Sequence, residues 1–170
     1  MNYKEELEIL CRAAYPVVAI ITHEEERAEE TLRAIAISRQ RKFIGWSIVK
    51  GLFNGEKYAE DTISPIAALD FIAEYPEPAI FMLSDFHPYL EDPGEGNMIR
   101  RKFKEVSFQI RAEHKIVFLV SPSLNIPIEL EKIITIFDLP FPTKEEIKEV
   151  MEKVIEKLPF VYKPEGEESL

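Results

Sequence analysis

The 170-residue chain has a single cysteine, Cys11, so no disulfide framework and no cysteine metal cluster can form within it. It is short of positive charge: 21 Lys and Arg stand against 31 Asp and Glu, a formal net charge of −10, which opposes a general nucleic-acid surface. Long hydrophobic runs are missing, and none approaches the ~20 residues needed to span a bilayer. The amino terminus, Met-Asn-Tyr-Lys-Glu-Glu, lacks the basic-then-apolar pattern of a signal peptide, so the cytoplasm is the expected compartment. Glutamine occurs only at Gln40 and Gln109 amid abundant Glu and Lys, a pattern that fits a thermophilic source. Nowhere is there a G-x-x-x-x-G-K-[ST] phosphate loop.

What remains is a globular composition, 46% hydrophobic and 31% charged. A chain of this length can bury ~70% of its unfolded surface in one domain. Three short apolar runs carry no polar alternation: Val17–Ile21, Ala79–Leu83 and Ile116–Val120. That is the signature of strands buried on both faces, as in parallel sheets covered by helices. Phe43–Val49 and Ile133–Phe137 are shorter or more mixed strand candidates.

Between these runs the spacing is helical. Leu7, Leu10 and Cys11 mark a first helix over 2–14, and Cys11 reads as a small buried apolar residue on it. Thr22 with Glu25 has capping-box spacing before a helix reaching about Arg39. Residues 51–61, with Asn54-Gly55, read as a loop, and Ser64-Pro65 as an N-cap and first helical residue. Ile99, Phe103, Val106 and Ile110 predict a helix over about 97–112, and Ile126–Lys132 reads as a short one. Thr143 and Glu146 repeat the capping box before a last helix carrying Ile147, Val150, Met151, Val154 and Leu158. The expected fold is α/β, a three-layer sandwich on a mostly parallel five-stranded sheet. The domain spans 1–162, and 163–170 form a polar tail.

In a parallel sheet the strand ends converge on the ligand edge, which brings together Thr22, His23, Asp85 and Ser121. A triphosphate there would meet Glu24, Glu25 and Glu26 where a glycine-rich loop and a lysine are needed. A phospho-receiver arrangement needs a lysine before Pro140, where Leu139 stands. A metal site would draw on His23, Asp85, His87, Glu91 and Asp92, without the spacing of helical zinc sites. Arg100, Arg101, Lys102, Lys104 and Arg111 gather positive charge on one helix, a solvated face or a docking surface in which Arg100 and Arg101 are the candidates. Trp46, Phe53 and Tyr58 offer either core packing or an aromatic patch.

The order of these segments resembles AAA-type ATPases, with Ala79–Phe86 similar to a Walker B strand and Lys115–Pro122 to a sensor-1 strand. More closely, the chain resembles the N-terminal domain of AAA-type ATPases known as a hypothetical chloroplast reading frame, with cyanobacterial and other bacterial homologues. The segments carrying this likeness include Tyr15–Arg27, Trp46–Leu52, Ala68–Ile72, Asp85–Pro88, Arg100-Arg101 and the run from Ser121 through Glu131. The resemblance implies a degenerate module of P-loop-NTPase topology, with Asp85 at the Walker B magnesium position and Ser121 near sensor 1. Thr22-His23-Glu24 replaces the phosphate loop, and Ser84-Asp85-Phe86 lacks the acidic pair that hydrolysis needs. The expected role is an interaction or regulatory module, not an enzyme itself, with no cofactor, membrane or nucleic acid. Its partner would be a protein or an AAA ATPase module, with self-association open. The alternatives are weak nucleotide binding or hydrolysis through Asp85, and metal-dependent activity at His23, Asp85 and His87.

Overall fold

The computed structural model describes residues 2–13, 15–55 and 57–157, so the polar tail and Leu158 lie outside the described residues. The chain divides into two compact units, Met1–Leu139 and Pro140–Leu170.

The uninterrupted apolar runs form the middle of a sheet. In the first unit β1 is Val17–Ile21, β2 Lys42–Ser47, β3 Gly51–Asn54, β4 Lys57–Ala59, β5 Ala79–Ser84, β6 Ile116–Ser121 and β7 Ile134–Asp138. Among the described residues these give one seven-stranded sheet ordered β4-β3-β2-β5-β6-β1-β7. Every residue of β5 and β6 is buried, as expected of strands covered on both faces. The strands from β2 to β7 in that order pair in parallel, whereas β3 and β4 add antiparallel at the β2 edge.

The added hairpin is where a loop was expected. Gly55 opens its turn directly after Asn54 ends β3, and Gly45 makes room for the hairpin: in register with Phe53, a Cβ at Gly45 would collide with the Phe53 ring. Trp46 is fully buried and donates Nε1–H to Thr62 O at 2.8 Å, so it belongs to the core. Phe53 and Tyr58 pair on the hairpin, with ring centroids 6.3 Å apart.

Helices cover both faces. The α1 helix (Tyr3–Arg12) and α2 (Glu25–Ser38) bury Leu7, Cys11, Leu32 and Ile35 against Val18, Ile20, Met82 and Phe118. On the opposite face, α3 (Pro65–Glu74), α4 (His87–Glu91) and α5 (Gly96–Arg111) pack Leu69, Ile72, Leu90, Phe103 and Val106 against Phe81, Leu83, Val117 and Leu119. Alternate side chains of each strand feed the two layers, as the pleat requires.

Residues 128–133 form successive turns instead of a short helix. The bonds of Leu130 N–H to Pro127 O and Ile133 N–H to Leu130 O span three residues each, which closes turns and not an α-helix. Leu130 N–H bonds Pro127 O at 2.8 Å, while the Leu130 side chain is buried in the core below.

The connections after β4, β5 and β6 run over the face that holds α3 to α5, whereas the one after β1 runs over the α2 face. Adjacent strands β1 and β6 thus send their chains to opposite sides. The gap beyond their carboxyl ends is the sheet's topological switch point, the usual binding crevice of such folds.

The second unit, taken by itself, is the amphipathic helix α6 (Lys144–Lys157). Its expected capping box is formed: Thr143 N–H reaches Glu146 Oε2 at 2.9 Å, and Glu146 N–H reaches Thr143 Oγ1 at 3.2 Å.

Candidate functional site

The switch-point crevice is bounded by the ends of β1, β5 and β6, which gather Thr22, Ser84, Asp85 and Ser121. Hydrogen bonds tie these ends together. Thr22 N–H donates to Ser121 O at 2.9 Å, and Asp85 N–H to Val120 O at 3.0 Å. Ser121 is 4% exposed and its hydroxyl donates to Ser123 O at 2.8 Å, so it is engaged in shaping its own turn.

The capping box expected at Thr22 does not form. Thr22 N–H is already held by β6, which leaves no free donor for Glu25 to reach. Thr22 Oγ1 instead accepts Glu24 N–H at 2.9 Å, a tight hydroxyl turn, and α2 starts at Glu25. Released from capping, Glu25 reaches across the crevice: Ser84 Oγ donates to its Oε1 at 2.5 Å, spanning 59 positions of sequence. Glu24 turns back to Arg27 at 2.8 Å. The first turn of α2, where backbone amides and the helix dipole would draw an anion, thus already carries the chain's own carboxylates.

Asp85 follows β5 directly, is exposed, and adopts a left-handed backbone with φ 50°. Its charge adds to burial in raising the pKa of Tyr89, which stacks edge-on against Trp46 and Phe86. His23 is exposed in the turn after β1, and His87 opens α4 with its Nδ1 buried and without a hydrogen-bond partner. Among the described residues no group of three or more His, Cys, Asp or Glu could hold a metal ion. His23, Asp85 and His87, with Glu91 and Asp92, therefore do not come together as a ligand set.

Neither do Arg100 and Arg101 present a joint surface. Arg100 has an 18% exposed side chain, donates Nη1–H to Leu90 O at 2.6 Å, bonds Asn97 Oδ1 and pairs with Glu129 at 3.7 Å. It braces α5 against the end of α4 and the turns after β6. Arg101 has a 71% exposed side chain and pairs, among the described residues, with its helix neighbour Glu105 at 2.8 Å. Missing from the expected site were Glu25 as a crevice ligand and Ser84 as its donor.

This mixed α/β topology recurs in solved structures. One titled as a DNA replication initiation factor aligns over 92% of this chain and 52% of its own, with TM-score 0.53 and 14% identity. A chain from the HORMA–CdnC–Trip13 complex of E. coli MS115-1 aligns over 92% of this chain and 68% of its own, with TM-score 0.56 and 12% identity. At such identities the likeness concerns the fold alone.

Residues 3–139 match the family model of the SpoVK-like AAA ATPase N-terminal domain, and the chain belongs to that family. It is 30% identical to an uncharacterized AAA domain-containing protein ycf46 of Guillardia theta, over 93% of this chain and 31% of the relative. To the ycf46 protein of Trieres chinensis it is 31% identical, over 100% of this chain and 34% of the relative. The chain thus spans about a third of the length of these relatives. No helix among the described residues is long and apolar enough to cross a membrane.

Proposed function

We propose that this domain keeps the AAA scaffold without hydrolysing ATP and serves as an interaction or regulatory module of an AAA-type ATPase. The observation that carries the reading is the Glu25–Ser84 bond across the switch-point crevice. A nucleotide's phosphates would have to displace a carboxylate already seated at the start of α2 and approach Glu24, Glu26 and Asp85 as well. Each like-charge pair at about 4 Å costs ~1 kcal/mol even with water-like screening. None of Thr22, His23, Ser84, Asp85 and Ser121 is a lysine or glycine, and Arg27, the cation in the first turn of α2, is paired with Glu24, so the arrangement of a phosphate loop is not reproduced.

The partner is read from the relatives. They bear the name AAA domain-containing, and this chain matches only about a third of each. We take the remaining portion of such a relative to be the ATP-hydrolysing module on which the domain acts. Mixing the domain with that portion should give co-elution on size exclusion and alter its ATP hydrolysis rate by about fivefold or more, the scale of ~1 kcal/mol of coupling. Separate elution with an unchanged rate would contradict the proposal.

A further inference from the structure

The amino-terminal edge of the sheet, away from the crevice, holds a cavity of about 300 Å³ lined mainly by Arg12, Arg39, Arg41, Arg111, His114 and Lys115. These residues come from separate elements. Arg12 and Arg111 end α1 and α5, Arg39 and Arg41 flank the turn after α2, and His114 and Lys115 lead into β6.

A cation at a helix carboxyl end is favoured by the helix dipole, which accounts for Arg12 and Arg111 one at a time. It does not account for Arg39 and Arg41. Arg39 Nε and Arg41 Nη1 are buried with no hydrogen-bond partner. Among the described residues no ion pair joins Arg12, Arg39, Arg41 or Arg111 to an acid. Burial pulls the pKa of Arg41 down and the adjacent Arg39 charge adds to that. Cys11 on the cavity wall supplies no counter-charge, since burial pushes its thiol up to about 11.

The acids in this region are otherwise engaged. Glu8 accepts from Ser38 Oγ at 3.4 Å, and Glu113 is held by Lys115 at 2.6 Å. Lys115 is itself satisfied, so the open donors are the arginines. Two turns at this edge run through left-handed backbone at residues that are not glycine: Gln40 (φ 53°), between Arg39 and Arg41, and His114 (φ 57°). Such conformations persist where surrounding structure holds them. The one at Gln40 reverses the chain so that both flanking arginines line the cavity.

We infer that this cavity binds a small phosphate-bearing anion, with Arg39 and Arg41 donating to its oxygens and Arg12 and Arg111 at the exposed rim. Unpaired buried guanidinium donors call for an acceptor, and several forked donors converging on one space suit a multiply charged oxyanion better than a single carboxylate. The volume lies at the small end of ligand pockets. In a chain of net charge −10, this is a local reversal of sign. The inference is independent of the crevice and of the role proposed above.

The test is calorimetric titration of the whole chain with pyrophosphate and with inorganic phosphate, using acetate at matched ionic strength as the carboxylate control. Pyrophosphate should bind saturably at one site. Arg39→Gln with Arg41→Gln should weaken it at least about tenfold, as loss of charge-assisted bonds implies. Arg101→Gln, an exposed charge outside the cavity, should leave affinity unchanged. The double variant removes buried unpaired charge, so its melting temperature without phosphate should hold or rise. Should it fail to fold, Arg41→Lys, which keeps the charge and loses the fork, should still weaken pyrophosphate binding. No saturation by ~10 mM, beyond the weak end of specific binding, overturns the inference. Equal affinity in the arginine variants, or acetate binding as well as pyrophosphate, also overturns it.

Discussion

Lys115→Met keeps the side chain's length and removes its charge. The ammonium is buried, at 3% exposure, and donates to Ile72 O at 3.1 Å, Ala73 O at 3.0 Å and Glu113 Oε2 at 2.6 Å. Ile72 and Ala73 lie in the last turn of α3, so their carbonyls are among those the helix cannot satisfy itself, at the negative end of its dipole. Methionine leaves Ile72 O without this donor, at ~1–3 kcal/mol for a buried acceptor, whereas Ala73 O keeps the bond from Gln109 Nε2–H at 3.0 Å. Sparing the ammonium its desolvation offsets part of that loss. The Glu113 side chain, 40% exposed, returns to water and adds little. The net expectation is a loss of ~1–2 kcal/mol, or about 3–6 °C in melting temperature for a domain of this size. Urea unfolding at pH 7 measures the first figure and a thermal scan the second.

Acid titration of the same pair gives a second readout. The hydrogen bond from Lys115 is the largest cause holding the Glu113 carboxyl below its ordinary value of 4.5. A folded-state pKa below the unfolded one means stability that is fully present above the unfolded value and lost as pH falls through the folded one. Wild-type protein should therefore lose more stability below about pH 4.5 than Lys115→Met does. A variant within ~0.5 kcal/mol of wild type at pH 7, the range of an ordinary surface substitution, would refute the reasoning. So would a variant that loses more stability in acid than wild type.

Three further substitutions probe the fold around the sheet edge and α5. Gly51 has φ 67°, and a Cβ there would press on Ala59 O and approach Thr62 Oγ1 at 2.8 Å; Gly51→Ala should cost ~1–3 kcal/mol in thermal unfolding, and an unchanged melting temperature would remove the case for a strained hairpin start. Arg100→Ala should cost ~1–2 kcal/mol through the lost bond to Leu90 O, whereas Arg101→Ala should stay within ~0.5 kcal/mol; equal effects in urea unfolding would contradict the bracing role.

Much of this fold is legible in sequence because its central strands are buried on both faces. Ala79–Leu83 and Ile116–Val120 carry no polar interruption, and that pattern belongs to covered parallel strands. Family membership was legible too, through the strand carrying Asp85 and the run after Ser121, and residues 3–139 match the family model. The β3–β4 hairpin was not. Its strands are four and three residues long, and their pairing depends on the space Gly45 leaves opposite Phe53, a fact of register.

The crevice shows the same division. Strand ends placed Thr22, Asp85 and Ser121 at one edge, since parallel strands share a direction. Glu25 looked like a cap three residues after Thr22, and nothing local shows that Thr22 N–H is already taken by Ser121 across the sheet. Its bond to Ser84 and the arginines around the basal cavity join residues far apart in the chain, where periodicity is silent.

The claim that the crevice is closed to phosphates by its own carboxylates meets its most direct test in calorimetric titration of the chain with ATP and magnesium. The Arg39→Gln, Arg41→Gln variant should be titrated alongside, so that binding at the basal cavity is counted separately. The variant should show no saturable heat up to millimolar ATP, the weak end of specific binding. Low-micromolar affinity in that variant, abolished by Asp85→Asn, would mean that the crevice still holds a nucleotide and would contradict the account.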